Sequence, residues 1–351
     1  MTVAGLRRNK GLRSHSHEPH AIGHTAGADL NGSWSHMRTI GSSDLTVHPL
    51  CLGGNVFGWT ADETQSFAVL DAYAGAGGNF VDTADVYSAW VPGHSGGESE
   101  SIIGRWLAAR HNRHRIVIAT KVGMAPGVKG LSAKSIEAAA DASLRRLQTD
   151  HIDLYYAHRD EEETPLPETL RALDALVRSG KVRHIAASNY TAPRLAEALA
   201  VSRREGFASF VALQPNYNLV HRDEYEGKLQ TVCAQDGLSC VPYYGLARGF
   251  LTGKYRPGRA VDSVRAEGAR SHMDARGLRV LGAVDEIAEA HRTTVAAVSL
   301  AWLVAQPTVA AAIASARTAE QLAELLPLAG LQLTAPELRH LTDVSGSNAP
   351  S

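Results

Sequence analysis

The chain has 351 residues, of which 44% are hydrophobic and 20% are charged. Its 35 basic and 36 acidic side chains leave a formal net charge of −1, so the composition indicates neither a nucleic-acid nor a membrane partner. The three cysteines, Cys51, Cys233 and Cys240, form no CxxC pair, which favours unpaired thiols in a reducing cytoplasm. We therefore expect a globular cytoplasmic protein, and the sequence favours no particular oligomeric state.

The amino-terminal segment differs in composition from the rest of the chain. Residues 1–36 are rich in Gly, His, Ser and Asn and have almost no large apolar side chains. Such a segment buries too little surface to offset its ordering entropy, so we predict a disordered extension there. A single domain is expected over residues 37–345, followed by a flexible tail over residues 346–351. His15 and His17 form an HxH pair, but no third ligand accompanies them, so no metal site is predicted.

From Leu50 onward, short apolar runs alternate with amphipathic stretches. Each run ends in glycine or polar residues, which is typical of strands that end at a functional edge. The predicted strands are Leu50–Gly53, Asn79–Asp82, Ile116–Lys121, Ile152–His158, Val182–Ser188, Val211–Gln214, Ser239–Tyr243 and Val309–Ile313.

The stretches between these strands predict helices. Thr60 and Glu63 have the spacing of a capping box at the start of the first helix. From Ile136 onward, apolar residues recur at helical spacing. The long segment between the last two strands has room for two additional helices, Gly277–His291 and Thr294–Ala305.

Eight strand–helix units in succession predict an α/β fold, a (β/α)8 TIM barrel with parallel strands and right-handed crossovers. The alternative is a doubly wound open sheet. That fold calls for a glycine-rich fingerprint after the first strand, whereas the chain has Gly53-Gly54-Asn55, which does not match GxGxxG.

Polar residues at strand ends are the candidates for chemistry, because barrel enzymes carry their active sites at the carboxyl ends of the strands. Asp82, Lys121 and His158 occupy three such ends, and Tyr87 follows Asp82 by five residues. A phenol with a pKa near 10 is a poor acid at neutral pH, but a neighbouring ammonium lowers that pKa. The set predicts a tuned proton donor, Tyr87, with His158 orienting the substrate oxygen. Singly, each residue also has an ordinary role as a helix cap, an ion-pair partner or a packed loop aromatic.

Several segments, in order along the chain, carry patterns of one known family. They are Asn79–Tyr87, Gly96–Glu100, Ala119–Val122, Leu154–Arg159, Gly180–Arg183, Ala187–Tyr190, Gln214–Asn218 and Gly253–Tyr255. In these segments the chain resembles the aldo-keto reductase family. The resemblance implies a barrel that binds NADPH, with NADH less favoured, and that reduces the carbonyl of a small aldehyde or ketone to an alcohol. It also implies a catalytic tetrad of Asp82, Tyr87, Lys121 and His158.

The resemblance assigns further residues to the cofactor. Ser188, Asn189 and Gln214 match residues that hold the nicotinamide carboxamide, and Tyr243 matches the aromatic that stacks on the nicotinamide ring. Arg317 matches a position at the adenosine end, where its guanidinium could clamp a 2′-phosphate. The full expected set is Asn55, Ser188, Asn189, Gln214, Tyr243, Tyr244, Gly245, Leu246, Ala247, Arg248, Lys254, Ser315, Arg317 and Gln321.

The chain departs from the family pattern around the cofactor. Tyr244 replaces a serine that would contact the pyrophosphate, although the backbone amides from Gly245 onward can still bind phosphate. Ala314-Ser315 replaces a Pro-Gly pair, and Leu325 replaces a common asparagine.

Trp59 and Trp90 are expected to wall the substrate pocket. Packing on the barrel rim is the alternative for Trp90. Two other functions remain open from the sequence. A chain of this fold can serve as a cofactor-sensing subunit of a larger assembly with little turnover. A metal-dependent barrel hydrolase is the third reading and would require bound zinc, for which no ligand set is evident.

Overall fold

The structure, a computed structural model, describes residues 36–346. The extension and tail expected from the sequence lie outside these residues, apart from His36 and Gly346 at their edges. Ten strands are present in the described part of the chain. They are β1 (Arg38–Thr39), β2 (Thr46–Val47), β3 (Leu50–Gly53), β4 (Phe80–Asp82), β5 (Val117–Val122), β6 (Ile152–Ala157), β7 (Val182–Ser188), β8 (Phe210–Gln214), β9 (Ser239–Cys240) and β10 (Ala312–Ala314).

The last eight strands pair in parallel in the order β10-β3-β4-β5-β6-β7-β8-β9. The sheet closes between β9 and the chain that leads into β10. There Cys240 N donates to Thr308 O over 2.7 Å, and Ala310 N donates to Cys240 O over 3.0 Å. The predicted (β/α)8 barrel is therefore confirmed.

Helices surround the barrel, and α8 and α9 are the two additional helices predicted between the last two strands. Among residues 36–346, no helix has the length and apolar character needed to cross a membrane. The helices are α1 (Glu63–Gly75), α2 (Glu98–Arg110), α3 (Ala133–Leu147), α4 (Leu166–Arg178), α5 (Ala192–Glu205), α6 (Lys228–Gln235), α7 (Ala266–Arg270), α8 (Ala275–His291), α9 (Val295–Val304), α10 (Ala319–Ala323) and α11 (Ala335–Ser345).

The seventh and eighth barrel strands are shorter than their apolar runs predicted. Pro242 has no N–H to donate to a ladder, so β9 ends at Cys240, two residues before it. In the last run, Val309 forms a bridge with Cys240, and pairing with β3 begins only at Ala312. The residues of each apolar run therefore pair with two different neighbouring strands. This shortens the strand but leaves the barrel closed.

The first helix begins two residues later than its sequence indicated. Asp62 is the N-cap of α1, and its carboxylate accepts from Gln65 N over 2.8 Å while the Gln65 side chain accepts from Asp62 N. The capping box predicted at Thr60 and Glu63 is wrong because Thr60 N instead donates to Val56 O and closes a turn before the helix.

A buried ionic network ties the amino end of the barrel together. Asp153, 1% exposed, accepts from Ile118 N over 2.8 Å. One of its oxygens lies 2.8 Å from Arg113 Nη2 and the other 2.6 Å from Arg183 Nη1. The second nitrogen of Arg183 reaches Asp44 in the loop of the β1–β2 hairpin over 2.8 Å. Asp153 thus links three barrel strands and the hairpin.

We expect Asp153→Ala to lower the free energy of unfolding by about 3 kcal/mol, because it leaves two guanidinium groups without their shared buried partner. Asp141→Ala is the matched control, since it removes a carboxylate whose ion pair with Lys181 is exposed. That loss should stay below about 1 kcal/mol. Urea denaturation measures both, and equal losses would contradict the structural role of Asp153.

Candidate active site

The side chains of Asp82, Lys121 and Tyr87 meet at the carboxyl end of the barrel. Asp82 ends β4 and Lys121 lies near the end of the neighbouring β5, so the two face each other across one strand pair. Lys121 Nζ lies 2.6 Å from Asp82 Oδ2 and 3.3 Å from Tyr87 Oη, and it donates to Thr83 O over 2.7 Å. All donors on the ammonium are thereby directed at oxygen atoms.

Lys121 is fully buried, and its surroundings keep it charged. Burial by itself lowers the pKa of the Lys121 ammonium. The Asp82 carboxylate and the Tyr87 phenol together raise it by more than burial lowers it, so the net pKa is above the ordinary value. A buried cation is therefore available beside the phenol.

The pKa of Tyr87 is raised above its usual value, which differs from the sequence expectation of a lowered one. Desolvation of the hydroxyl is the largest cause, and Lys121 offsets it in part. Burial of the phenol outweighs the ammonium because the charge of Lys121 is also shared with Asp82. Tyr87 is consequently protonated at neutral pH.

The loop that carries Tyr87 is anchored to the start of α2. Tyr87 O accepts from Gly97 N over 2.9 Å and from Ser99 N over 3.4 Å. Glu98 accepts from Ser88 N and Gly96 N through its carboxylate. The backbone on both sides of the phenol is therefore held, so its position does not depend on the Lys121 contact alone.

His158 follows β6 and faces Tyr87, with the two ring centroids 6.2 Å apart. Burial lowers the pKa of His158 to about 3, with Lys121 and Arg159 adding to the shift. The imidazole is therefore neutral at physiological pH and carries a single N–H. Its buried Nδ1 has no hydrogen-bond partner among the described residues.

The residues expected at the nicotinamide form one hydrogen-bonded chain. Tyr243 Oη donates to Asn189 Oδ1 over 2.8 Å, and Asn189 Nδ2 donates to Ser188 Oγ over 3.1 Å and to His158 O over 2.9 Å. Ser188 Oγ in turn donates to Gln214 O over 2.9 Å. Asn189 has a φ of 57°, a left-handed conformation that asparagine tolerates better than most residues.

Gln214 makes a contact that the sequence did not indicate. Its Nε2 donates to Asp82 Oδ1 over 2.9 Å. In the order of the closed sheet, β4 and β8 are four strands apart and therefore form opposite walls. Gln214 thus connects the Asp82–Lys121–Tyr87 group with the Ser188–Asn189–Tyr243 chain across the barrel.

The loop after β9 has an unusual backbone. Tyr244, Ala247 and Arg248 all have positive φ values between 47° and 58°, and Asn218 Nδ2 holds Tyr244 O over 3.0 Å. Gly245 and Leu246 complete the tight turn, which Ala247 N closes by donating to Tyr244 O. The loop is therefore shaped by its backbone, and Tyr244 projects outward with 40% of its surface exposed.

Four basic side chains extend from the loops after β9 and β10. Arg248 lies over the Tyr244 ring, Lys254 over the Tyr255 ring, and Arg265 over the Trp59 ring. Between residues 36 and 346, neither these three nor Arg317 has an acidic partner. Arg265 was not among the cofactor residues expected from the sequence. Its lack of an acidic neighbour depends on three-dimensional contacts, so no sequence signal could have indicated it.

The remaining expected cofactor residues cluster at the ends of β3 and β10. Ser315 Oγ donates to Asn55 Oδ1 over 2.7 Å, joining the two strand ends. The Gln321 side chain accepts from Arg317 N over 3.0 Å and so fixes the start of α10. Leu325 is buried in the core, where it packs with apolar residues.

Aromatic rings line the mouth beside Tyr87. The Trp90 ring lies 5.7 Å from the Tyr87 ring and 5.6 Å from the Trp59 ring, centroid to centroid. Trp90 is 48% exposed. The structure therefore places both predicted tryptophans next to the phenol. In residues 36–346, no group of three or more His, Cys, Asp or Glu side chains is arranged to hold a metal ion.

The sequence is similar to that of known oxidoreductases. A sequence profile of the aldo/keto reductase family matches residues 49–345. An uncharacterized oxidoreductase (YrpG) of Bacillus subtilis (strain 168) is 34% identical over 87% of this chain and 94% of its own length. A norsolorinic acid reductase of Aspergillus flavus is 30% identical, over 88% and 80% respectively. A probable voltage-gated potassium channel subunit beta of Oryza sativa subsp. japonica is 31% identical, over 86% and 93%.

We expect the His158 imidazole to remain neutral throughout the range from pH 5 to pH 9, because its pKa lies near 3. Its ring resonances in nuclear magnetic resonance spectra, assigned by comparison with His158→Gln, should not shift with pH over this range. A titration of His158 near an ordinary histidine pKa would contradict the burial that the structure shows.

Proposed function

Because the chain belongs to the aldo/keto reductase family and is an oxidoreductase, we propose that it reduces a small aldehyde or ketone to the alcohol with NADPH, using Tyr87 as general acid. The observation that carries this proposal is the contact of Tyr87 Oη with the charged, buried Lys121, which Asp82 holds at 2.6 Å. The neutral His158 faces the same phenol.

The residues of the site fit a nicotinamide dinucleotide. The chain from Tyr243 through Asn189 to Ser188 supplies amide and hydroxyl groups suited to a carboxamide. Burial lowers the pKa of Arg265, whose guanidinium lacks an acidic partner in the described part of the chain. A desolvated cation of this kind favours an anionic ligand. With Arg248, Lys254 and Arg317, it supports binding of the cofactor phosphates, and the extra charge favours NADPH over NADH.

The protein side of the reaction follows from the charges. NADPH supplies the hydride when it is bound. Tyr87 gives its proton to the carbonyl oxygen, and the Lys121 ammonium stabilises the phenolate that results. Asp82 keeps Lys121 charged and directs it. The N–H of His158 is suited to donate a hydrogen bond to the same oxygen and so orient it. Because the imidazole is neutral, it does not repel the nearby Lys121 ammonium.

Aromatic carbonyl compounds are the substrates that the mouth favours. The described residues include three exposed large hydrophobic side chains, Trp90, Tyr244 and Val264, and all three belong to loops at the carboxyl end of the barrel. With Trp59 they offer flat apolar surfaces on which an aryl group can stack.

A second candidate function is suggested by the similarity to a potassium channel subunit beta. In that case the chain would bind the cofactor as a sensor in an assembly and turn over slowly. Oxidation of many equivalents of NADPH per protein with a panel of aryl and alkyl aldehydes supports the enzyme. Oxidation of one equivalent at most supports the sensor.

We also propose a cytoplasmic location and a small-molecule partner, with no nucleic acid or membrane involved. All three cysteines are buried as free thiols, which is compatible with a reducing compartment.

We expect Tyr87→Phe to lower kcat by about 10²–10⁴-fold, because it removes the proton donor but keeps the ring. Binding of NADPH, measured by quenching of protein fluorescence, should be unchanged. Phe67→Tyr on α1, at a half-buried position that packs against the core, provides a control that alters one hydroxyl elsewhere. Full turnover by Tyr87→Phe would disprove the assignment of the acid.

For the cofactor, we expect Arg317→Gln to raise KM for NADPH by about tenfold or more and to leave KM for NADH nearly unchanged, because only NADPH carries the 2′-phosphate. Arg339→Gln, on α11, is the control for loss of a charge. An equal change for both cofactors would show that Arg317 does not select between them.

A further inference from the structure

The loop that carries Tyr87 also contains a buried carboxyl group. Asp85 is 1% exposed and belongs to the turn between β4 and the phenol. Its backbone N donates to Lys121 O over 3.2 Å, and its Oδ2 accepts from Gly123 N over 3.3 Å. Asp85 therefore fastens the Tyr87 loop to the end of β5 on both sides of Val122.

Within residues 36–346, the carboxyl group of Asp85 forms no ion pair. The guanidinium that acts on its pKa, that of Arg146 on α3, bonds to Glu100 Oε2 over 2.6 Å. The other oxygen of Glu100, on α2, accepts from Thr120 Oγ1 over 2.5 Å. Arg146 therefore forms its ion pair with Glu100, which is fully buried. Asp85 thus lies near a second carboxyl group.

One oxygen of Asp85 and one neighbouring hydroxyl lack partners. Asp85 Oδ1 and Tyr155 Oη are both buried without a hydrogen bond in the described structure. Tyr155 lies on β6, and both Asp85 and Glu100 raise the pKa of its phenol, after the larger effect of burial. The charged and titratable groups around Asp85 are therefore Glu100, Arg146 and Tyr155. Asp141, on α3, acts more weakly on Tyr155.

A fully buried carboxylate with one long hydrogen bond and no ion pair is physically unfavourable, whereas the protonated acid is not. Burial, together with the nearby Glu100, raises the pKa of Asp85 to about 7. The backbone N–H groups of Gly123 and Ala125 and the Arg146 guanidinium act against the shift but do not cancel it.

We propose that Asp85 is a positioning residue for Tyr87 and that it acts as the neutral acid, holding the Tyr87 loop against the end of β5. When Asp85 loses its proton, a second negative charge faces Glu100 in the protein interior. Repulsion and the need for solvation then favour movement of Asp85 and its part of the loop away from Glu100 and from the end of β5. That movement separates Tyr87 Oη from Lys121 Nζ, which are 3.3 Å apart when the loop is closed. The proposal rests on the function proposed above for Tyr87.

Thermal unfolding tests the charge state without any turnover. The folded chain keeps the Asp85 proton up to about pH 7, whereas the unfolded chain releases it near pH 4. Because the folded state binds the extra proton, this group makes stability fall as pH rises from about 4 to about 7. Asp85→Asn should remove that fall, so its Tm relative to wild type rises with pH. Glu137→Gln, an exposed carboxyl of α3, is the matched control. An unchanged pH dependence of Tm in Asp85→Asn would overturn the proposal.

Loop position is followed through Trp90, whose ring packs on the Tyr87 ring. Its fluorescence, isolated by subtraction of Trp90→Phe, should change through about pH 7 in wild type but not in Asp85→Asn. In turnover, wild-type kcat should fall by about tenfold between pH 6 and pH 8, with KM for NADPH constant. Asp85→Asn should show no such fall, and Asp85→Leu, which cannot bond Gly123, should have a low kcat at every pH.

These measurements separate the two proposals. A wild-type chain that reduces no carbonyl compound contradicts the proposed function, while the Tm and Trp90 titrations still decide the state and effect of Asp85. If Asp85→Asn flattens the Tm profile but retains the wild-type kcat and Trp90 profiles, Asp85 does not position Tyr87 and the proposal is wrong.

Discussion

The ion pair between Lys121 and Asp82 is the interaction on which the site depends. Its cost in desolvation is large, because both groups are almost completely excluded from water, and it is offset only by close contacts to Asp82, Thr83 and Tyr87. Those contacts need three chain segments in one place, so the closed barrel has to be formed before the pair becomes stable. The Lys121 charge therefore acts on the Tyr87 phenol only once the barrel has folded.

Much of the fold was predictable from the sequence, because the barrel has a strong local signature. Buried parallel strands give continuous apolar runs such as residues 210–213 of β8, and helices between them show their own periodicity. The errors occurred where partners distant in sequence decide the outcome. Pro242 ended β9, and Val309 paired with Cys240 in place of β3. The turn at Val56 moved the first helix cap to Asp62.

The positions of several residues of the candidate site were also predictable, but their electrostatics were not. Strand ends indicated Asp82, Lys121 and His158, since barrel topology alone brings such positions to one face. The direction of the Tyr87 pKa was not predictable, because it depends on how much water the fold excludes. The lack of acidic partners around Arg265 and the unpaired oxygen of Asp85 also depend on neighbours far away in sequence. Local pattern carries no information on such absences.

The hydrogen bond from Gln214 to Asp82 spans the barrel between opposite walls and joins the proposed proton-donor group to the far side of the sheet. Of the two tryptophans at the mouth, Trp90 lies on the same loop as Tyr87 and packs on its ring, whereas Trp59 belongs to the loop after β3. Substitutions in the loop after β3 can therefore alter the mouth without changing the loop of the proposed proton donor, whereas substitutions around Trp90 cannot. For evolution or for enzyme engineering, the loop after β3 is thus the part of the mouth that is exchangeable while the Tyr87 loop is kept.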